Sequence, residues 1–521
     1  MVVDPRTPVI VGIGQVTNRP DGGLVASRPE PVDLMVEAVQ AAAVDCGPAG
    51  VGHRLLKRAQ SLRIINPRSW AYVNPGELVA GQTRMEPRQV VLTTSGGNNP
   101  QRLINQTALD IGRGDLEVAV IAGGDCGYSL AAARRDPNRP VLAWNGQGAD
   151  TPKPEPFGSS RRPTTDAEAE RGLDVPVNVF PLFEMALRAE AGRRPDEHRA
   201  MIAGRWSECS QVASSNPYAW LRQPMSAEEI ADPAITNRMV AYPYTKLLIA
   251  NEQVDQGAAL VLCSAEAADA AGVPRDRWVF PLAGADADDH WFLSHRADFC
   301  SSPAIRLAGR SALALAGIDI DGVAHLDLYS PFPSAVEIAG LELGVATDDP
   351  DRPFTVTGGL TFGGGPGSNY GTHAVASMAA ALRDDPGSTG LVTGVGWCMT
   401  EHSLGIYGTH PATGAGGDGL PELTTVEEAA GYRWANPTGA VSILPQCSPD
   451  AEAKGEVTVE TYSVIYDRDG TPSRAIVACR SVDGRRAWAT TEDPDQLAVL
   501  VTEEGCGRLG TVRDTGVVDL T

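Results

Sequence analysis

Two stretches of this chain alternate short, wholly apolar runs with helical periodicities, and that alternation most narrows the folds open to it. In the first stretch, apolar runs at 9–11, 90–92 and 118–122 are separated by helical patterns over 33–46, closed by Gly47, and over 98–111. Runs this short and continuously apolar read as strands buried on both faces, and the helices between them supply the crossovers that parallel strands need. The pattern is βαβαβ. A long insertion over 126–245, broken by clusters such as DTPKPEPFGSSRRPTT, lies over the face that carries the site, and the run at 258–263 closes this half. The rhythm then returns: 325–328, a helix over 334–343, Thr355 leading into a glycine-rich turn, a helix over 372–383, and 390–393. The two halves are similar in the order of their elements, without a close sequence repeat.

Beyond residue 410 the character changes. GTHPATGAGGDGLPELTT reads as a linker, and VTVETYSVIYDRDG and SRAIVACRSVDG each alternate at period two into an Asp-Gly pair before RRAWATT. Two such turns joining three β-rich runs predict a meander, best placed in a small OB-like β-barrel. The predicted organisation is 1–265, with the insertion 126–245; 266–410; and a β-rich unit over 411–521.

A chain of 521 residues, 42% of them hydrophobic, is too long for one core and too apolar for disorder. It has no apolar run of about 18 residues and no basic segment leading into an apolar stretch at its start, which predicts a cytoplasmic protein without a membrane span. Nine cysteines without C-x-x-C pairs suit isolated thiols in a reducing compartment better than disulfides or a metal. A formal net charge of −22 opposes attraction to nucleic-acid phosphates. An anionic ligand would need local cations, and Arg161, Arg162 and Lys246 are the candidates, with ordinary solvated charge as the alternative for each.

Four segments in order, TPVIVGIGQV, RGDLEVAVIAGGDC, NEQVDQGAALVL and GGLTFGGGPGSNYG, resemble the landmarks of thiolases over roughly residues 5–408. LDLYSPFPSAVEIAGLELG is similar to the HDCF-type segment of sterol-carrier-type thiolases, and the C-terminal unit resembles the extra domain of the actinobacterial type-1 thiolase-like proteins. The resemblance implies an α/β thiolase fold: two similar βαβαβ halves layered α/β/α/β/α, followed here by the small C-terminal β-barrel. It also implies a site for coenzyme A or acyl-CoA, with no tightly bound cofactor and no metal, at which Gly364, Gly365 and Pro366 let the backbone approach the ligand closely.

The family's chemistry needs a cysteine nucleophile at a helix N-terminus, where the helix dipole favours the thiolate, a histidine that activates it, and a second cysteine that shuttles a proton. In this register Gly97 replaces the first, Gly365 the second and Val392 the third. Asn98 follows Gly97, Thr94 and Ser95 offer only unactivated hydroxyls, and Cys398 lies a few residues beyond Val392 beside Trp397 and Met399. The fourth motif, which supplies an oxyanion-hole group, is represented by Tyr329-Ser330-Pro331-Phe332. Thiolase-like retro-aldolases carry similar tyrosine and GGPGxNY segments, which makes Tyr329 and Tyr370 candidates for catalysis; a tyrosine packed at a strand end is the alternative. Glu401-His402 follows the last strand of the sheet, where α/β proteins commonly build sites.

GIGQV lacks the third glycine of a dinucleotide fingerprint, and GGLTFGGGPG lacks the Lys and Ser/Thr of a P-loop. Three functions remain open: an acyl-CoA-binding protein of lipid or sterol metabolism without thiolysis, acting alone or with a partner protein; a retro-aldol C–C lyase on a CoA thioester using Tyr329 and Tyr370; and, least supported, a true acetyltransferase. By the same resemblance the protein is a monomer.

Overall fold

The computed structural model describes residues 3–20, 28–48, 50–138, 140–412, 417–513 and 516–520. Its first half contains β1 (Pro8–Thr17), β2 (Ser61–Ile65), β3 (Gln89–Thr93), β4 (Val118–Cys126), β5 (Glu155–Phe157), β6 (Met239–Tyr242), β7 (Tyr244–Thr245) and β8 (Asp255–Ser264). All but β6 and β7 form one sheet in the order β1-β8-β4-β2-β3-β5. The second half contributes β9 (Phe280–Asp288), β10 (His325–Asp327), β11 (Thr389–Gly396), β12 (Glu401–Gly408), β13 (Thr425–Ala429) and β14 (Tyr432–Asn436), in the order β10-β11-β12-β9-β14-β13.

The duplication expected from the order of elements reappears in the pairing. In the first sheet β1 runs antiparallel to β8, β8 antiparallel to β4, and β4 parallel to β2. In the second, β9 runs antiparallel to β12, β12 antiparallel to β11, and β11 parallel to β10. The helices Asn99–Arg113 and Tyr370–Asp384 each touch both sheets and each other, so they form the middle layer. Pro31–Asp45 covers the outer face of the first sheet and Pro303–Ala316 that of the second, which completes the five-layer thiolase fold.

Four readings of the sequence are corrected. β2, β9 and β12 were not anticipated as strands; FPLAGADAD and EHSLGIYG are rich in small residues and lack the branched, alternating pattern that marks a strand. Glu401 and His402 do not follow the last strand; they open β12 and are buried within it. The thiolase portion does not end at 410, because β14 pairs in parallel with β9 and Trp434 Nε1 donates to Asp286 Oδ2 at 2.5 Å, so 425–436 extend the second sheet. The insertion is more than a cover: β5 adds in parallel to β3 and pairs what would otherwise be an open sheet edge.

The third sheet comprises β15 (Gly455–Tyr466), β16 (Pro472–Ser481), β17 (Arg486–Thr491), β18 (Leu509–Val512) and β19 (Val518–Leu520), in the order β17-β16-β15-β18-β19. The predicted meander is β15-β16-β17, turned at Asp469-Gly470 and Asp483-Gly484 with both glycines left-handed. A single parallel bridge between Thr490 and Val517 brings β17 back to β19, so the sheet curls towards closure. This unit docks on the rest through β6, whose Ala241 and Tyr242 pair with Ile465 and Val464 of β15. Arg486 anchors the opposite side. Fully buried, it donates to Glu460 at 2.6 and 2.8 Å and to the carbonyls of Leu293 (2.9 Å) and Arg296 (2.5 Å), and lies over the Phe299 ring. Among the described residues no helix is long and apolar enough to cross a membrane.

Removing one partner of a buried ion pair strands the other. Arg486→Ala is therefore expected to lower unfolding free energy by about 3–5 kcal/mol, measured by denaturant melts, and to loosen the C-terminal unit first, seen as preferential proteolysis there.

Candidate active site

A cavity of about 1240 Å³ opens where the chain leaves β3, β10 and β11, at the carboxyl ends of those strands. Gly96 and Gly97 follow β3, Tyr329 follows β10, and Val395, Trp397 and Cys398 close β11 and begin the turn into β12. That turn is tight because Trp397 (φ 53°) and Met399 (φ 62°) are both left-handed, which non-glycine residues adopt only at a cost.

The Gly97–Tyr329 contact sets the chemistry. A Cβ on Gly97 would lie 2.0 Å from the Tyr329 hydroxyl oxygen and 2.4 Å from Cζ, so the phenol occupies the space into which a residue-97 side chain would project. The Tyr329 backbone N–H donates to Thr393 Oγ1 at 2.8 Å, which holds this position. Burial pushes the phenol well above its ordinary pKa, so the hydroxyl is a proton-bearing donor at neutral pH. Among the described residues it has no hydrogen-bond partner, and neither has the indole N–H of Trp397. The Tyr329 hydroxyl is thus a free donor on the cavity lining, whereas the Trp397 N–H is unpartnered but buried out of reach of it.

Cys398 lines the same cavity, but burial pushes its thiol up to about 12, only partly offset by Arg296, so it is neutral and weakly nucleophilic. Gly365 and Lys246 also line the cavity, whereas Pro366 does not. Gly364 borders only a separate crevice of about 10 Å³, and a Cβ there would meet Gln256 Oε1 at 2.1 Å.

The remaining candidates lie elsewhere. Tyr370 is buried outside the cavity; its ring stands edge-on to Tyr329 at 5.4 Å and its hydroxyl donates to Asp327 Oδ1 at 2.8 Å, with Thr357 Oγ1 at 2.6 Å. Asp327 also accepts from Thr355 Oγ1 (2.9 Å) and the Val356 N–H (3.1 Å). Burial lifts its carboxyl to about 6 against these hydrogen bonds. His402 is buried with Nε2 2.9 Å from the Met399 carbonyl oxygen, and burial pushes it down to about 4 despite Asp289. It props the β11–β12 turn from behind. Glu401 is raised to about 7 by burial and by Asp288, with Arg102 opposing at 3.3 Å, also outside the cavity. Asn98 is buried behind Gly97 with Oδ1 unpartnered. Arg161 stacks on Trp291 and Phe292, and Arg162 pairs with Asp166 at 2.6 Å; neither reaches the cavity. Val392 is buried in β11.

Four arginines that sequence reasoning missed do line it: Arg68, Arg135, Arg238 and Arg468. They come from four separate segments, and nothing local distinguishes them from other surface arginines. The apolar wall includes Phe180 and Phe332, stacked at 4.3 Å.

Gly97→Cys is expected to overpack the site and cost about 1–3 kcal/mol without creating a reactive thiol. Adding Tyr329→Ala should recover most of the loss, a coupling that a thermal-melt double-mutant cycle reads. Because the folded pKa of Asp327, about 6, lies above the usual carboxylate value, its buried charge costs stability above pH 6 and that cost fades as pH falls from 6 towards 4. Tyr370→Phe removes a donor to that charge, so it should destabilise by about 1–3 kcal/mol at pH 7 and less at pH 5, where the carboxyl is protonated. Denaturant unfolding at the two pH values tests this.

A family profile described as the thiolase-like protein type 1 additional C-terminal domain matches residues 439–517. No curated protein matches the sequence. Among solved structures, the peroxisomal thiolase of Saccharomyces cerevisiae, a dimer, is 12% identical over 78% of this chain and 98% of that one, with a TM-score of 0.54. The Ltp2-ChsH2(DUF35) aldolase is 22% identical over 78% and 98%, with a TM-score of 0.56. At these identities they share the fold. A monomeric SCP2-thiolase-like protein type 1 from Mycobacterium smegmatis is 31% identical over 100% of both chains, with a TM-score of 0.81. With full-length coverage at that identity, and the additional domain in place, the chain belongs to the SCP2-thiolase-like proteins of type 1.

Proposed function

We propose that this protein binds coenzyme A or an acyl-CoA in the cavity beside Gly97, in lipid or sterol metabolism, and does not carry out thiolysis. One observation carries the reading: the phenol of Tyr329 fills the space that a side chain at position 97 would need, so the cavity is kept while the nucleophile is sterically excluded. The volume, about 1240 Å³, exceeds that of most small-ligand pockets, as a long ligand requires. Cations gather on its lining although the whole chain carries −22, which suits a phosphorylated ligand. The free hydroxyl of Tyr329 is the donor for a thioester oxygen. We infer a cytoplasmic monomer that does not bind nucleic acid.

A second reading, a retro-aldol C–C lyase on a CoA thioester, is favoured by the unpartnered Tyr329 hydroxyl at the inner end of the cavity. There the C–C bond of a β-hydroxyacyl thioester breaks as its hydroxyl loses its proton to solvent and becomes a carbonyl, Tyr329 donates to the thioester oxygen of the enolate that is left, and solvent returns a proton to the enolate carbon; Tyr370 supports the Tyr329 ring. One structural neighbour is described as an aldolase that contains a DUF35 component, so a partner protein belongs to this reading.

Titration calorimetry with CoA and acetyl-CoA, beside a thiolysis assay with acetoacetyl-CoA, is expected to give binding without turnover; rapid thiolysis refutes the first reading. If an aldol substrate is cleaved, Tyr329→Phe should abolish turnover and leave CoA affinity within about twofold; unchanged turnover removes Tyr329 from the reaction.

A further inference from the structure

The C-terminal unit reaches the cavity through one side chain, Arg468, at the tip of the β15–β16 hairpin. Its position there follows from how the hairpin is built. The turn is closed by Asp467 N–H donating to the Thr471 carbonyl (2.9 Å) and by Asp469 Oδ1 accepting from Thr471 N–H (3.0 Å) and Oγ1–H (2.6 Å), with Gly470 left-handed at φ 90°. Immediately before it, Val464 and Ile465 pair with Tyr242 and Ala241 of β6. The residues flanking the β6–β7 pair are themselves cavity wall, Arg238 directly before β6 and Lys246 directly after β7. The hairpin is therefore in register with the wall that its tip completes.

The electrostatic setting gives that position a purpose. Five cations line the cavity, Arg68, Arg135, Arg238, Lys246 and Arg468, against two carboxylates, Glu252 and Asp174. Arg68 is paired with Glu252 at 2.6 Å, Arg135 donates to Gln253 at 2.6 Å and Arg238 to the Met239 carbonyl at 2.8 Å. Among the described residues Lys246 and Arg468 have no side-chain partner, and both are exposed. In a chain of net charge −22, two unpaired cations from different units on one cavity mark an anion-recognising rim over an apolar interior.

We propose that Arg468 binds a phosphate of the ligand at the mouth of the cavity, so that the additional C-terminal domain is part of the binding site. The proposal rests on the reading of the cavity as a coenzyme A site. Its ligand class is a phosphorylated nucleotide end outside, carrying an uncharged arm inward.

The test is calorimetry on the full chain with CoA and with pantetheine, which has the arm but no phosphate. The proteins are wild type, Arg468→Glu, and Lys153→Glu, which makes the same charge change at an exposed loop position off the cavity. Arg468→Glu is expected to weaken CoA binding about tenfold more than Lys153→Glu does. Any pantetheine affinity and the melting temperature should stay unchanged, since Arg468 is an exposed turn residue. Wild type binding CoA with Arg468→Glu equal to Lys153→Glu overturns the role of Arg468 and leaves the binding reading standing. Wild type failing to bind CoA overturns both.

Discussion

The Asp327 carboxylate ends β10 deep in the second half, where an unsatisfied charge would cost several kcal/mol. It is kept there by donors from three directions: the Thr355 and Thr357 hydroxyls, the backbone at Val356, and the Tyr370 phenol. Those contacts tie the strand end to the loop before the glycine-rich segment and to the first residue of the central helix Tyr370–Asp384. Tyr329 lies two residues beyond Asp327, so the network that satisfies the carboxylate also sets where that phenol leaves the strand. A tyrosine outside the cavity thus contributes to the one inside it.

From that placement the character of the site follows. Fold and chemistry are separable: the sheets and the central helices are those of the thiolase fold, while at the strand ends the Tyr329 phenol fills the space that a side chain at position 97 would need. Cys398 offers no reactive thiol, because the burial that puts it in the cavity wall also keeps its thiol protonated. The lining itself carries the Tyr329 hydroxyl and five cations.

The third unit is joined to this site through a strand. β6 belongs to the insertion of the first half, yet it pairs with β15, and Arg238 before it and Val240 within it are cavity wall. The hairpin tip that carries Arg468 is therefore joined to the cavity wall by strand pairing of Val464 and Ile465 with Tyr242 and Ala241.

Much of the fold was legible in the sequence. The branched apolar runs of β1, β3, β4 and β8, the amphipathic helix 98–111 and the two Asp-Gly turns carry local signals, and these elements formed where their periodicity pointed. β9 and β12 carried none, since alanines and glycines chosen for close packing between layers look like loop, and β14 looked like the start of the last unit until its pairing was known. The site divided in the same way. That glycine, glycine and valine stand at 97, 365 and 392 is a matter of residue identity, and the sequence alone determined it. Which side chains reach the cavity depends on how strand ends from distant segments converge and on which tyrosine hydroxyl finds a carboxylate. Only the tertiary structure could place Tyr329 inside, Tyr370, His402 and Arg161 outside, and Arg468 at the rim, because those outcomes are set by volume and burial in three dimensions.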